Sequence, residues 1–246
     1  MSISIALIVS FMVFEFSKRV EALVGAIVSS VACGSRHTAI VTSKGKVYSW
    51  GDRENGVAGH SDPEGHQYTP KIIEALDNEK VTQISACGFH TGCLTEDGKV
   101  YTWGEGKFGR LGSGNERHCT SPRIVESFVG QSPTQIACGG FHSAVITADG
   151  RLATFGGGEH GQLGHGNFSN KLKPAFVKAL EGVFISQISC GWSHTVALSS
   201  NGQVSNKCLI FEIIYSLFRQ ISDERLFDDA CLRSSLGVIM IMVSLV

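Results

Sequence analysis

One spacing governs this chain. His37, His90, His142 and His194 stand 53, 52 and 52 residues apart. Other landmarks keep the same step. Cys33-Gly34, Cys87-Gly88, Cys138-Gly139 and Cys190-Gly191 precede the histidines, and Gly45, Gly98, Gly150 and Gly202 follow each by eight residues. Five residues later come Trp50-Gly51, Trp103-Gly104 and Phe155-Gly156, then Gly56, Gly109 and Gly161, then Pro70, Pro122 and Pro174. A chain that repeats itself about every 52 residues folds as a stack of like units, each burying a face against its neighbour.

The unit reads as strands. "SAVITADGRLATFG" (143–156) is strand, two-residue turn, strand, with Lys44-Gly45, Asp97-Gly98, Asp149-Gly150 and Asn201-Gly202 as the turn pairs. "TAIVT", "SAVIT" and "TVALS" place three apolar residues in a row, which fits strands covered on both faces. "KPAFVKAL" (173–180) supplies a third strand and "VFISQISCG" (183–191) a fourth. Four short antiparallel strands, sandwiched between neighbours, describe a propeller blade. The 29 glycines against 5 prolines suit many tight turns, and 43% hydrophobic residues suit a sizeable core. No amphipathic helix is evident between residues 20 and 204.

The register extends upstream, because "VEALVGAIVSSVACG" (20–34) matches "VKALEGVFISQISCG" (177–191). The domain reading is therefore a non-repeat apolar segment at 1–19 and repeats over 20–204. Within the latter lie part of a blade, units near 33–86, 87–137 and 138–189, and a partial unit at 190–204. A non-repeat apolar tail occupies 205–246.

"ACGSRHTAIVTSKGKVYSWG", "ACGFHTGCLTEDGKVYTWGEGKFGRLGSG", "ACGGFHSAVITADGRLATFGGGEHGQLGHG" and "SCGWSHTVALSSNGQV" together resemble the regulator of chromosome condensation repeat family over about 185 residues. That resemblance implies an all-β fold of the seven-bladed propeller type. Here it is incomplete and open, with three to four four-stranded antiparallel blades. It also implies a non-enzymatic, regulatory interaction scaffold. The family includes exchange factors for Ran-like small GTPases, nucleosome-docking proteins and the propeller portions of HECT-type ubiquitin ligases. The expected partner is thus a protein, a small GTPase or a chromatin component among them. Clustered tryptophans sense light in one branch. Only Trp192, in "GWSHT", matches that motif, since Trp50 and Trp103 hold the structural aromatic-glycine position.

Several local patterns invite chemistry. Gly156-Gly157-Gly158-Glu159-His160-Gly161 and Gly104-Glu105-Gly106-Lys107-Phe108-Gly109 satisfy G-x-G-x-x-G. A dinucleotide site needs a helix after the glycines, yet "RLGSG" and "QLGHG" continue the turn. A recurring turn is expected, and no cofactor. Cys-x-x-x-His at Cys33/His37, Cys138/His142 and Cys190/His194, with Cys87-x-x-His90, hints at zinc. Equivalent residues on sheets ~10 Å apart do not converge within ~2.3 Å of one ion. The expectation is a small buried cysteine and a histidine bonding the backbone of the next blade. Cys93, Cys119, Cys208 and Cys231 share no common position.

Variable, exposed loops between aromatic-glycine and proline are the candidate partner-binding segments: Arg53 and His60; Lys107, Arg110 and Arg117; His160, His165, Phe168 and Lys171. A formal charge of −1 gives no basic excess for direct nucleic-acid binding. Unclustered cysteines fit free thiols in the cytoplasm or nucleus. Residues 1–14 are apolar but shorter than the ~20 a membrane helix needs, so a membrane role is not expected. The alternative is secretion, with residues 1–14 as signal. An open ring leaves blade edges on which association is expected.

Overall fold

The structure, a computed structural model, describes residues 20–61 and 66–201. Gly202, the apolar segment 1–19 and the tail 205–246 lie outside the described residues. Three four-stranded antiparallel sheets and one two-stranded sheet follow one another. The first holds β1 (Val28–Cys33), β2 (His37–Thr42), β3 (Val47–Asp52) and β4 (His66–Ile72). The second holds β5 (Val81–Cys87), β6 (His90–Thr95), β7 (Val100–Gly104) and β8 (Cys119–Ile124). The third holds β9 (Pro133–Cys138), β10 (His142–Thr147), β11 (Leu152–Gly156) and β12 (Lys171–Phe176), and the last β13 (Ile185–Cys190) and β14 (Thr195–Ser199).

Strand order within each sheet is sequential. The first strands of successive sheets pack side by side, β1 on β5, β5 on β9 and β9 on β13. The fourth strands make no comparable contact among the described residues, so the sheets are wedges fanned about their first strands. This is the open arc of a propeller.

The core lies between sheets. Ala39, Val41 and Val47 of the first pack on Ile84, Cys93 and Trp103 of the second. Leu94 and Val100 meet Ile136, Val145 and Phe155, and Ala144, Ile146 and Leu152 meet Ile185 and Ile188. β6 and β10 are buried at every position, as continuous apolar runs require. Leu76, Phe128 and Leu180, each closing a single 3-10 turn after a fourth strand, plug the outer part of the wedge.

Two strand assignments from sequence need correction. β12 ends at Phe176, and Lys178–Leu180 coil into a 3-10 turn that drops Leu180 into the core. The "ISQISC" strand is the first strand of the next sheet rather than the fourth of its own, because the chain leaves each outer edge and crosses to the neighbour's inner strand. Blades therefore run 28–72, 81–124 and 133–176, out of phase with units counted from the Cys-Gly pairs. The hairpin loops also differ from two-residue turns. Thr42 N–H bonds Lys46 O and Gly45 N–H bonds Thr42 O, leaving Ser43-Lys44-Gly45 as a three-residue loop. Only the glycine takes positive φ, +77° at Gly45, +78° at Gly98 and +78° at Gly150, the signature of a type I turn with a left-handed third residue.

Candidate functional site

Antiparallel order places the first-to-second and third-to-fourth connections at one end of every sheet. The Cys-Gly…His turns and the glycine loops therefore form one rim. Backbone bonds weld them: Asp52 N–H to Arg36 O (2.8 Å), Glu105 N–H to Phe89 O (2.8 Å) and Gly157 N–H to Phe141 O (2.9 Å). The approach explains the glycine after each aromatic. At Gly104, φ is +102° and a side chain would meet Phe89 O at 2.6 Å. Gly56, Gly109 and Gly161 also take positive φ, inside one-turn loops with no following α-helix. The two G-x-G-x-x-G stretches are copies of this turn.

The histidines bond across blades, but to side chains, which corrects the expected backbone contact. Nε2 of His37, His90 and His142 lies 2.7 Å from Thr91 Oγ1, Ser143 Oγ and Thr195 Oγ1 respectively. Each hydroxyl donates onward to a loop carbonyl: Thr91 to Val57 (3.3 Å), Ser143 to Arg110 (2.9 Å) and Thr195 to Gln162 (2.9 Å). A hydroxyl has one proton, so having given it to a carbonyl it accepts from the imidazole. The network thus assigns the Nε2–H tautomer. The three Nδ1 atoms, buried and without a hydrogen-bond partner, are then bare lone pairs.

Burial depresses all three imidazoles, His37 to about 4 despite the opposing pull of Asp52 and His142 to about 3. His90 is lowered well below the usual range by burial and then by Arg110. A nucleophilic hydroxyl must hand its proton to histidine. Here the proton flows the other way, so the Ser/Thr-His pairs are joints rather than catalysts.

The cysteines divide by environment. Cys87 and Cys138 are buried, Cys190 is half-buried and Cys33 is exposed, so only some match the expected small buried thiol. Cys33 differs because the first sheet has no described neighbour on that side. Burial pushes the Cys138 thiol up to about 12 and raises Cys93 and Cys190 as well, which suppresses thiolate chemistry. Among the described residues no three His, Cys, Asp or Glu side chains gather to hold a metal.

The loop candidates scatter. Arg53, His60 and Arg110 are buried, 8%, 6% and 1% exposed, which overturns their reading as solvent-facing contacts. His60 reaches Ser49 Oγ at 3.0 Å and half-buried His165 reaches Thr154 Oγ1 at 3.1 Å, each fastening its loop to the third strand beneath. Lys171 opens β12 and is half-buried. Lys107, Arg117, His160 and Phe168 are exposed on the rim. Trp50 is half-buried, whereas Trp103 and Phe155 are sealed at 0% under the loop of the preceding blade.

A cluster that the candidate set mostly missed lies between the second and third loops. Arg110 Nη1 pairs with Glu105 Oε2 at 2.9 Å and donates to Gly140 O at 3.0 Å, while its Nε–H reaches Lys107 O at 3.1 Å. The guanidinium lies 5.7 Å from the Phe108 ring centroid and 5.3 Å from that of Phe141. Phe141 makes edge contacts with Phe108 (5.8 Å) and with Trp192 (5.3 Å), which is 42% exposed. Phe108 sits at φ +62°, a conformation that costs a bulky residue about 1–2 kcal/mol. A shallow cleft of ≈ 90 Å³ opens beside it, lined by Phe108, Phe141, Gly157, Glu159, His160 and Gln162. The signal was present in the repeat alignment. Arg110 stands where the other loops carry Val57 and Gln162, and Phe108 where they carry Asn55 and His160.

Comparison with known proteins agrees with this geometry. The model of the RCC1-like domain matches residues 13–206. The ultraviolet-B receptor UVR8 of Arabidopsis thaliana is 40% identical over 185 residues, 75% of this chain and 42% of the receptor. The human E3 ubiquitin-protein ligase HERC2 is 39% identical over 188 residues, 75% of this chain and 4% of the ligase. Among solved structures, human WBSCR16 superposes with TM-score 0.66 and 29% identity, covering 72% of this chain and 46% of that one. Prp20p of Saccharomyces cerevisiae, which has binding properties toward Gsp1p and histones, gives TM-score 0.64 at 22% identity, covering 77% and 47%. The chain thus spans less than half the length of these relatives. The repeated blade, the welded rim and the family match over residues 13–206 agree: the chain belongs to the RCC1-like domain family of β-propellers.

Proposed function

We propose that this chain is a non-enzymatic protein-interaction scaffold whose partner docks on the rim beside the Phe108–Phe141 cleft. One observation carries the reading. The repeated glycines and histidines are consumed by architecture, while side chains that differ from repeat to repeat collect on one exposed face: Lys107, Arg117, Glu159, His160, Phe168 and Trp192. An exposed aromatic edge ringed by charge is the composition of a binding hot spot. A protein partner is favoured over nucleic acid because the rim mixes both signs and the whole chain is close to neutral. No disulfide joins any two of the described cysteines, which supports a cytoplasmic or nuclear setting.

The test is affinity capture with the full chain beside Trp192→Ala and Lys107→Glu. Both variants should lose the same partner while keeping the β-rich circular dichroism of the folded wild type at the assay temperature. Retention of every captured protein by both variants removes the rim from the reading.

A second reading, exchange of nucleotide on a small GTPase, takes its support from Prp20p and its binding to Gsp1p. The chain should then speed release of fluorescent nucleotide from a Ran-like GTPase, and an unchanged release rate ends that reading. The similarity to HERC2 supports a third setting, as the propeller portion of a larger ligase.

A further inference from the structure

All the residues lining the cleft beside Phe108 belong to the second and third sheets, each complete among the described residues. Two departures from the repeat open it. Gly157 stands where the second loop carries Glu105, and Gln162 where it carries Arg110. In the second loop those two side chains meet in an ion pair at 2.9 Å. In the third loop the glycine leaves space and the glutamine has no acid to meet. A methyl group on Gly157 would lie 3.3 Å from Phe141 Cβ and 3.6 Å from Phe108 Cβ, so the space lies between the two phenylalanines. Phe108 holds its wall at φ +62°, where the first loop uses Asn55 at φ +57°, a residue type that tolerates the conformation better.

Gln162 supplies the chemistry. It is 2% exposed, and what exposure it has is to the cleft it lines. Its Oε1 accepts from His160 N–H at 2.8 Å, which fixes the orientation of the amide. Its Nε2 then carries two N–H donors with no acceptor among the described residues. Glu159 lines the open side, exposed, with no cation paired to its carboxylate among the described residues. A volume of ≈ 90 Å³ admits one side chain, against about 300–1,000 Å³ for a cofactor or drug-sized ligand.

The lining selects among side chains. Lysine and arginine have no acceptor to offer Gln162, and they approach the Arg110 guanidinium that already lies against both rings. A carboxylate meets Glu159. Leucine or phenylalanine displaces water from Gln162 and leaves its donors stranded. Serine and asparagine lack the apolar body to fill the gap between two rings. A phenol sets an aromatic ring against Phe108 and Phe141, accepts from Gln162 and donates to Glu159. We infer that the cleft takes one tyrosine of the partner, its hydroxyl toward Gln162 and Glu159. This names the partner chemistry of the same rim and rests on that reading.

Selection of a phage-displayed random peptide library on the immobilised full chain tests this. Selected peptides should carry a tyrosine whose replacement by phenylalanine weakens binding about fivefold or more, the effect of stranding one buried donor. Gly157 does not take positive φ, so Gly157→Leu plugs the cleft without a change of backbone region and should abolish binding. Gln162→Glu keeps an acceptor for His160 N–H, removes the donors and should weaken the same peptides by a similar factor. It reads the site even if Gly157→Leu melts early. Peptides that lose binding to Lys107→Glu or Trp192→Ala but to neither cleft variant overturn the tyrosine and leave the rim reading standing. Peptides that respond to none of the four variants remove both. Cleft-dependent peptides that present leucine, lysine or glutamate in place of tyrosine, or a library that yields no binder, also overturn the inference.

Discussion

The histidine joints make predictions that belong to single residues. Their folded pKa values are depressed, so the folded state binds fewer protons than the unfolded state, whose imidazoles titrate near 6.5. Stability is then complete above about pH 7 and falls as pH drops from 6.5 toward 4, where His37 begins to charge within the fold. Each such imidazole withholds about 3 kcal/mol across that window. Urea titrations at pH 7.5, 6, 5 and 4.5 should show the midpoint falling at each step, and replacement of His142 by Gln should flatten the fall. A midpoint independent of pH contradicts neutral, buried imidazoles. Ser143→Ala strands both the His90 Nε2–H and the Arg110 carbonyl, so it should cost about 1–3 kcal/mol in the same assay. Glu105→Ala leaves the Arg110 guanidinium unpaired at 1% exposure and should cost about 3–5 kcal/mol. The double change with Arg110→Val, the residue type at the equivalent place in the first loop, should recover most of that loss. Additive losses would show that the pair is not coupled.

At the scale of strands and loops, the aromatic-glycine lock is the device that fastens one blade to the next. The Phe155 ring slides beneath Gly112 of the preceding loop, where φ is +72° and a methyl group would meet ring carbons at 2.9–3.0 Å. Gly112→Ala therefore adds backbone strain to a clash and should lower stability by about 2 kcal/mol or more, read from thermal melts. Gly166→Ala meets nothing within 4 Å and should show only the smaller backbone cost of its φ of +72°. Equal losses at both glycines would remove the lock from the account. Much of this scale was legible in the sequence, because strand, turn glycine and aromatic-glycine recur at fixed offsets. The phase of the blade was not. The strand that looks last in a unit hydrogen-bonds the next sheet, and a linear period carries no mark of where a sheet ends. The burial of Arg53, His60 and Arg110 was equally hidden, because polar residues in a glycine-rich loop read as solvent-facing until the loop is seen folded onto the third strand. Arg110 betrayed itself only by differing from Val57 and Gln162.

At the largest scale, the described residues form an arc whose stability is local to its junctions, as in other stacked repeats. The proposed partner surface uses the rim side chains that break the repeat, while the repeated ones hold the wedges together. Amide hydrogen exchange of the full chain measures that division directly. Slow exchange should recur in four segments, 30–42, 83–95, 135–147 and 187–199, with the junction amides of Ile136, Cys138 and Ile188 among the protected ones because side chains of the preceding blade hold them. The rim loops 104–114 and 156–166 should exchange faster than these strands. Protection confined to one segment, or strand amides exchanging as fast as the loops, would contradict a protein built from the same four-stranded wedge again and again.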